Sequence, residues 1–373
     1  MKVKSKRLTV LSAAILCSLA APASWAADTV CQYVDSSGHF ADATAANVGI
    51  YGAPDTTIAV ASNFYGPALD LITDFLNSPG GTSYGLIGLC HNATGHLMGE
   101  ILKDPTTHVN PTHTAITLHS GTVYSAHPTP ASGAEALPLA IAYKYGLFAA
   151  ANQDAPDDLV YETLNATPAP YYTIGSSHIY ANGIPVIFTD STSAPPNSLV
   201  TGTASTGTSD TIATTASGHT IVPAAGEVAV ADPVPAPYGL AAQKILTDMG
   251  YTPWPPSIVH TPLFGNIDVT YQAVFDPAYP SINSGFVAKA QICNAGYSYV
   301  EFTNVAYNVA QYAVLLDTDG DSVTTGGNTA EQAALALWTF MNLSNPNAAN
   351  ANLGGGAGQT WNQWLTNHCY SVI

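Results

Sequence analysis

The sequence predicts an α/β protein with largely parallel sheets flanked by helices, and three observations carry that expectation. Apolar, strand-like runs alternate with stretches of helical apolar spacing. Each run ends in a short turn rich in Gly, Ser, Thr, Asn or Pro that opens the next helix. Two such units lie early in the chain and two late, and 373 residues suffice for two lobes.

The chain opens with "MKVKSKRLTVLSAAILCSLAAPASWA", a basic start, an apolar run and small residues at Ser24 and Ala26. This predicts a signal peptide over residues 1–26, cut before Ala27, and an exported, periplasmic protein. Cys17 follows Leu16 rather than a small residue, which favours a soluble product over a lipid-anchored one. No later stretch is apolar for long enough to span a bilayer.

The first unit is "TTIAVA" (56–61) as strand, "SNFYGP" as turn, then Leu69, Ile72, Phe75 and Leu76 at helical spacing. "YGLIGLC", "HNATG" and "HLMGEILK" repeat that plan. Residues 172–189 supply more strand, and 191–219 form a Thr/Ser/Ala-rich low-complexity insert, expected as a mobile surface excursion. "EVAVADPVPAPYG" runs into a helix, as does "SIVHTPLFGNI" into "DVTYQAVF", and "SGFVAKAQI" reads as strand. Pro233, Pro235 and Pro237 predict a stiff, extended lead into the third helix.

Four turns thus aim helix N-termini from strand ends: Ser62 with Asn63, Thr94 with Gly95, Tyr238 with Gly239, and Asn266 with Ile267. The first N–H groups of a helix have no partner inside it and carry partial positive charge. Each end favours an anion by about 0.3–1 kcal/mol when exposed and up to about 2 kcal/mol when partly buried. Any one of these residues suits simple capping of its own helix; four together point to two lobes facing one anion.

Composition narrows the partners. Removing residues 1–26 takes four of the eight basic residues and leaves Lys103, Lys144, Lys244 and Lys289 against 25 acidic groups, a formal charge of −21. Nucleic acid and anionic membranes are poor partners for such a chain. With no arginine left, a bound anion is held by neutral donors, which do not titrate near neutral pH. Few charges overall also suit an acidic medium. Cys31, Cys90, Cys293 and Cys369 remain after export, with three possible pairings, of which Cys31 with Cys90 and Cys293 with Cys369 is favoured.

The turns carry a resemblance as well. "AVASNFYGPALDLITDF", "NATGHLMGEI", "TVYSAHPTP", "DPVPAPYGLAAQKIL", "GNIDVTYQAV", "SGFVAKAQI" and "NVAQYAVLL" span about 60–316 in the order of the periplasmic molybdate-binding proteins, the type II solute-binding components of ABC importers. The resemblance implies a two-lobed type II periplasmic-binding-protein fold with the ligand cleft between lobes. It places lobe 1 at 27–176 plus 304–373 and lobe 2 at 177–303, with crossings near Tyr172–Ser176 and Phe302–Gln311. It implies no enzymatic activity and no cofactor: a monomer binds molybdate or tungstate and delivers it to an inner-membrane permease.

Carried over residue by residue, the oxyanion ligands are Ser62, Asn63, Thr94, Tyr238 and Ile267; His91, Gly95 and Asn266, which stand beside them in the sequence, are secondary candidates. "NATG" departs from the family's usual paired hydroxyls before Gly, so Thr94 alone supplies one there; some relatives have a tyrosine at Ala288.

Alternatives stay open at this point: sulfate or another oxyanion, a secreted metal-dependent hydrolase, or a binding fold kept as a surface protein. The eleven histidines match no zinc spacing and there is no HExxH. His91, three residues before Thr94, is the one placed to lend a proton or charge to a ligand. "DTDGD" at 317–321 resembles part of a calcium loop, but the glutamate position falls on Asn328, so it reads as a polar turn.

Overall fold

The computed structural model describes residues 29–42, 47, 50–102, 116–117, 119–120, 123–124, 145–165, 172–191, 196–203, 207–222, 227–319, 329–355 and 358–373. The signal peptide, Lys103, Lys144, His108, His113 and His127 lie outside them.

Two sheets organise the chain. The first contains β1 (Val30–Asp35), β2 (Gly38–Asp42), β3 (Thr56–Ala61), β4 (Ile87–Asn92), β7 (Tyr145–Ala150), β8 (Thr173–Gly183) and β14 (Val309–Leu316), in the order β2-β1-β4-β3-β7-β14-β8. The second contains β9 (Pro185–Thr189), β10 (Ser209–Ile212), β11 (Glu227–Ala229), β12 (Ile282–Ala288) and β13 (Ser298–Phe302), in the order β10-β13-β9-β12-β11. A short ribbon pairs β5 (Ile116–Thr117) with β6 (Val123–Tyr124).

The sheets are mixed rather than largely parallel: the strand–turn–helix units supply parallel pairs, β3 with β4 and β7, β11 with β12 and β10 with β13, and the other pairs run antiparallel. Strands that carry the chain between the halves, β8, β9 and β14, pair antiparallel with their neighbours.

Side-chain alternation on the first sheet decides its two cores. Ile58 and Val60 face α1 (Tyr65–Leu76), α7 (Thr329–Met341) and α8 (Trp361–Asn367), where Phe75, Leu337, Trp361 and Trp364 are fully buried. Ala59 and Phe148 face α2 (Thr94–Ile101) and α3 (Asp154–Asn165) through Leu97, Met98 and Leu159. The second sheet repeats the device: Ile187 packs on Ile245 and Leu246 of α4 (Pro237–Asp248), while Val186 and Phe188 pack with Ile267 and Ala273 of α5 (Ile267–Ala273). No described helix is long and apolar enough to cross a membrane.

Several local expectations change. β8 pairs with β14 from Thr173 to Gly183, so the chain leaves the first sheet at Ile184 rather than near Tyr172–Ser176. It returns between Phe302 and Val309.

The Thr/Ser-rich stretch is not peripheral. Its β10 pairs parallel with β13, and Ile212 and Ala216 are core residues, because threonine suits a pleated strand and the apolar residues between supply an anchor. "SGFVAKAQI" is strand only to Ala288, after which Lys289–Ile292 form the one-turn helix α6.

The proline run is a tied turn rather than an extended lead. Asp232 accepts Val234 N–H on its side chain and Ala236 N–H on its carbonyl, and Pro237 takes the first helical position, where its missing N–H costs nothing. Disulfides join Cys31 to Cys90 and Cys293 to Cys369, the favoured pairing; the first bridges facing residues of β1 and β4.

Candidate anion site between the two sheets

Parallel strands β3 and β4 end on the same side of the first sheet, and each opens directly into a helix. Ser62–Phe64 form a 3-10 turn leading into α1; Ala93 caps α2. From the other half, α4 and α5 begin at Pro237 and Ile267. The five predicted residues lie at these helix starts and are all nearly inaccessible: Ser62 3%, Asn63 2%, Thr94 1%, Tyr238 4% and Ile267 5% exposed. Ala61 and Ala151 of the first half share an apolar cluster with Ile184, Tyr238 and Ile267 of the second.

Their side chains have different tasks. Ser62 Oγ is buried and makes no hydrogen bond among the described residues. A buried hydroxyl without a partner is costly, so its position at the meeting of the helix starts singles it out. Thr94 Oγ1 accepts the Ala151 N–H at 2.9 Å, which leaves the hydroxyl hydrogen available for donation.

Asn63 turns its amide to the C-terminal tail: Nδ2 donates to Tyr370 Oη at 3.1 Å, and the Tyr370 hydroxyl donates to Asn63 O at 2.8 Å. Its main-chain N–H, within the unsatisfied first turn, is what it can offer an anion.

The Tyr238 phenol is likewise engaged within the protein. It accepts Gln311 Nε2 at 3.0 Å, and Gln311 Oε1 accepts the Tyr180 hydroxyl at 2.7 Å. Gly183 is required here, since a Cβ would sit 1.7 Å from Tyr238 Oη. Burial, followed by the neighbouring Tyr370, drives the Tyr238 pKa well above the usual phenol value, and burial does the same at Tyr180. All these phenols stay neutral.

Direct bonds join the two halves beside the helix starts. Asn266 Nδ2 donates to Asn92 Oδ1 at 3.1 Å, while Asn266 Oδ1 caps α5 by accepting Asp268 and Val269 N–H at 2.9 Å. Gly95 N–H, a secondary candidate for the anion, donates instead to Pro235 O at 3.0 Å. His91 Nδ1 lies 2.9 Å from Asp268 Oδ2, and its ring stacks on Tyr65 with centroids 4.1 Å apart. His91 therefore faces a carboxylate.

Reading the sequence missed Asn92, Gln311 and Tyr370. Asn92 and Gln311 stand inside quoted motifs but carry no spacing signal, and Tyr370 belongs to a tail with no motif at all.

Elsewhere in the first half, the "DTDGD" turn meets α7. The carboxylates of Asp317, Asp319 and Glu331 lie within 4.8 Å of one another. Glu331 Oε1 accepts both the N–H and the hydroxyl of Thr318, so the glutamate that completes this turn is two residues into α7 rather than at 328.

No protein-family model and no curated protein matches the chain. Solved structures give distant likenesses. A chain described as the "substrate binding domain of putative molybdenum ABC transporter" of Clostridium difficile is 11% identical, with a TM-score of 0.43 over 85% of this chain and 98% of that one. The sulfate-binding protein SubI of Mycobacterium tuberculosis is 10% identical, with a TM-score of 0.43 over 85% and 86%. An OxyR mutant of Corynebacterium glutamicum reaches a TM-score of 0.38 at 10% identity, over 80% and 69%. At such identities and scores these likenesses assign nothing to this chain.

Proposed function

We propose that this chain is an extracytoplasmic solute-binding protein that holds a tetrahedral oxyanion, molybdate or tungstate, between two lobes built on its two sheets, and delivers it to an ABC permease. The observation that carries the reading is Ser62 Oγ, a buried hydroxyl with no partner among the described residues, in a turn that packs against α5 and α6 of the other half. Thr94 adds a second hydroxyl and its own main-chain N–H at the start of α2, and Tyr238 adds a main-chain N–H in the first turn of α4.

Neutral donors of this kind suit a chain whose sequence beyond residue 26 has no arginine. They also suit binding over catalysis: no described histidine bonds the Ser62 hydroxyl, and His91 faces Asp268, so the region offers donors rather than an activated nucleophile.

The test is a thermal-shift panel of molybdate, tungstate, sulfate and phosphate across pH. A ligand bound only by the folded state stabilises it by RT ln(1 + [L]/Kd), about 2.7 kcal/mol at a hundredfold excess over Kd. Molybdate and tungstate are expected to raise Tm. Ser62→Ala should keep or slightly raise the ligand-free Tm, because it removes an unpaired buried hydroxyl, and should lose much of the oxyanion shift. No shift with any of the four anions would sink the reading.

A further inference from the structure

The second disulfide joins segments that belong to different sheets. Cys293 closes α6, which continues directly from β12 of the second sheet. Cys369 lies just past α8, in a tail held by the first sheet. There Ser371 N–H donates to Asn182 O at 2.9 Å, Asn182 Nδ2 donates to Val372 O at 3.0 Å, and Trp361 and Trp364 of α8 are part of the first-sheet core.

The backbone passes between the sheets at Ile184 and again between Phe302 and Val309. Two crossings leave two halves free to turn about the line that joins them. A third covalent link between the halves restricts the turn.

Local contacts show what the link holds. Lys289 N–H donates to Ile184 O at 2.9 Å, so α6 starts at the first crossing; four residues of helical rise, about 6 Å, then carry Cys293 away from it. α6 packs against the Ser62–Phe64 turn, and Ala290 packs against the first-sheet core. Parting the halves means separating α6 from the very turn that carries Ser62, and the disulfide ties the end of α6 to the tail on that side.

We propose that the Cys293–Cys369 disulfide is a brace that limits how far the two halves part, keeping α6 against the Ser62–Phe64 turn and slowing exchange of whatever the cleft holds. The limit on opening stands on the covalent connection alone; the slowed exchange rests on the oxyanion reading. A braced cleft trades entry rate for retention, and such differences fall mainly on the off-rate.

The experiment compares ligand-free wild type with C293S/C369S, both retaining Cys31–Cys90, by small-angle scattering. The expected result is a larger radius of gyration for the variant and, on adding molybdate, a larger contraction. Molybdate release measured by stopped flow should be roughly tenfold faster in the variant. Identical scattering for the two proteins would overturn the brace. If the variant does not fold, hydrogen exchange on ligand-free wild type decides: the Gly95 amide, which bonds across the cleft, should be protected nearly as well as the amides of β3. Exchange at the rate of an open chain would overturn the proposal. Scattering needs no ligand, so an expanded variant with no molybdate response leaves the brace standing and removes the oxyanion reading.

Discussion

Gly95 N–H donates to the carbonyl oxygen of Pro235 at 3.0 Å, so the first turn of α2 in one half is bonded to the proline turn that launches α4 in the other. The proline run therefore positions an acceptor for the opposite half as well as a helix start. Asp232 holds that acceptor in place through its bonds to Val234 and Ala236, and its own N–H reaches Phe264 O at 2.7 Å.

This contact has no room for a side chain. A Cβ on Gly95 would lie 2.9 Å from Pro235 Cα and 3.3 Å from its Cβ and O. Gly95→Ala should fold, since alanine suits a helix better than glycine, yet it should keep the halves apart at this point. Overpacking of this sort costs about 1–3 kcal/mol, which is roughly five- to a hundredfold in Kd. Calorimetric titration with molybdate checks it; unchanged affinity would show that closure does not need this contact.

Thr94 has two tasks that separate by substitution. Its oxygen accepts the Ala151 N–H at the turn after β7, and its hydroxyl hydrogen is left for a ligand. Thr94→Ala should lower Tm, because a buried N–H loses its partner at a cost of about 1–3 kcal/mol, and should weaken oxyanion binding by about ten- to a hundredfold. Thr94→Ser should recover both, and Ser36→Ala, in the exposed turn between β1 and β2, should change neither. If Thr94→Ala lowers Tm but binds normally, the residue braces the β7 turn and does not touch the anion.

The α/β plan was legible because its signals are local. "TTIAVA" and the Leu69, Ile72, Phe75 and Leu76 spacing place β3 and α1 without knowledge of what they pack against. The four turns were legible for the same reason, since Ser62, Thr94, Pro237 and Asn266 each mark a helix start. What stayed hidden depends on distant pairing. β8 continues to Gly183 because β14, more than a hundred residues later, pairs with it throughout. Ser209–Ile212 look like low complexity until β13 offers them an edge. Asn63, predicted as a ligand, spends its amide on Tyr370, 307 positions away, which no periodicity announces.

Glu331 sets a pH dependence of the opposite sign to most carboxylates. Burial raises its pKa, and Asp319 and Asp317 push the same way against the lowering effect of the Thr318 bonds. A carboxyl raised in the folded state contributes stability that is full below its unfolded pKa and is lost as pH rises through the folded value. Glu331→Gln stays neutral and keeps an oxygen for Thr318, so its Tm relative to wild type should climb from about pH 4 to about pH 7. A difference that is flat over that range, or that falls, would show that the wild-type carboxylate is better stabilised when ionised.

Tyr238 allows the main chain and the side chain to be told apart at the start of α4. Its phenol bonds Gln311 of β14, and its N–H lies in the first helical turn, where no acceptor within the helix reaches it. Tyr238→Phe leaves Gln311 Nε2 without its acceptor and should cost about 1–3 kcal/mol of stability while binding oxyanion almost normally. Tyr238→Ala and Tyr238→Pro both delete the ring, so they share the packing loss; they differ in the N–H, which proline lacks and which a first-turn position can give up without breaking the helix. If that N–H faces the anion, Tyr238→Pro should bind more weakly than Tyr238→Ala by about 1.5–3 kcal/mol, roughly ten- to a hundredfold. Titration of both variants, with folding checked by circular dichroism, decides it: equal affinities would mean that α4 shapes the cleft through the Tyr238 ring and the Pro235 carbonyl, and that its helix start donates nothing to the ligand.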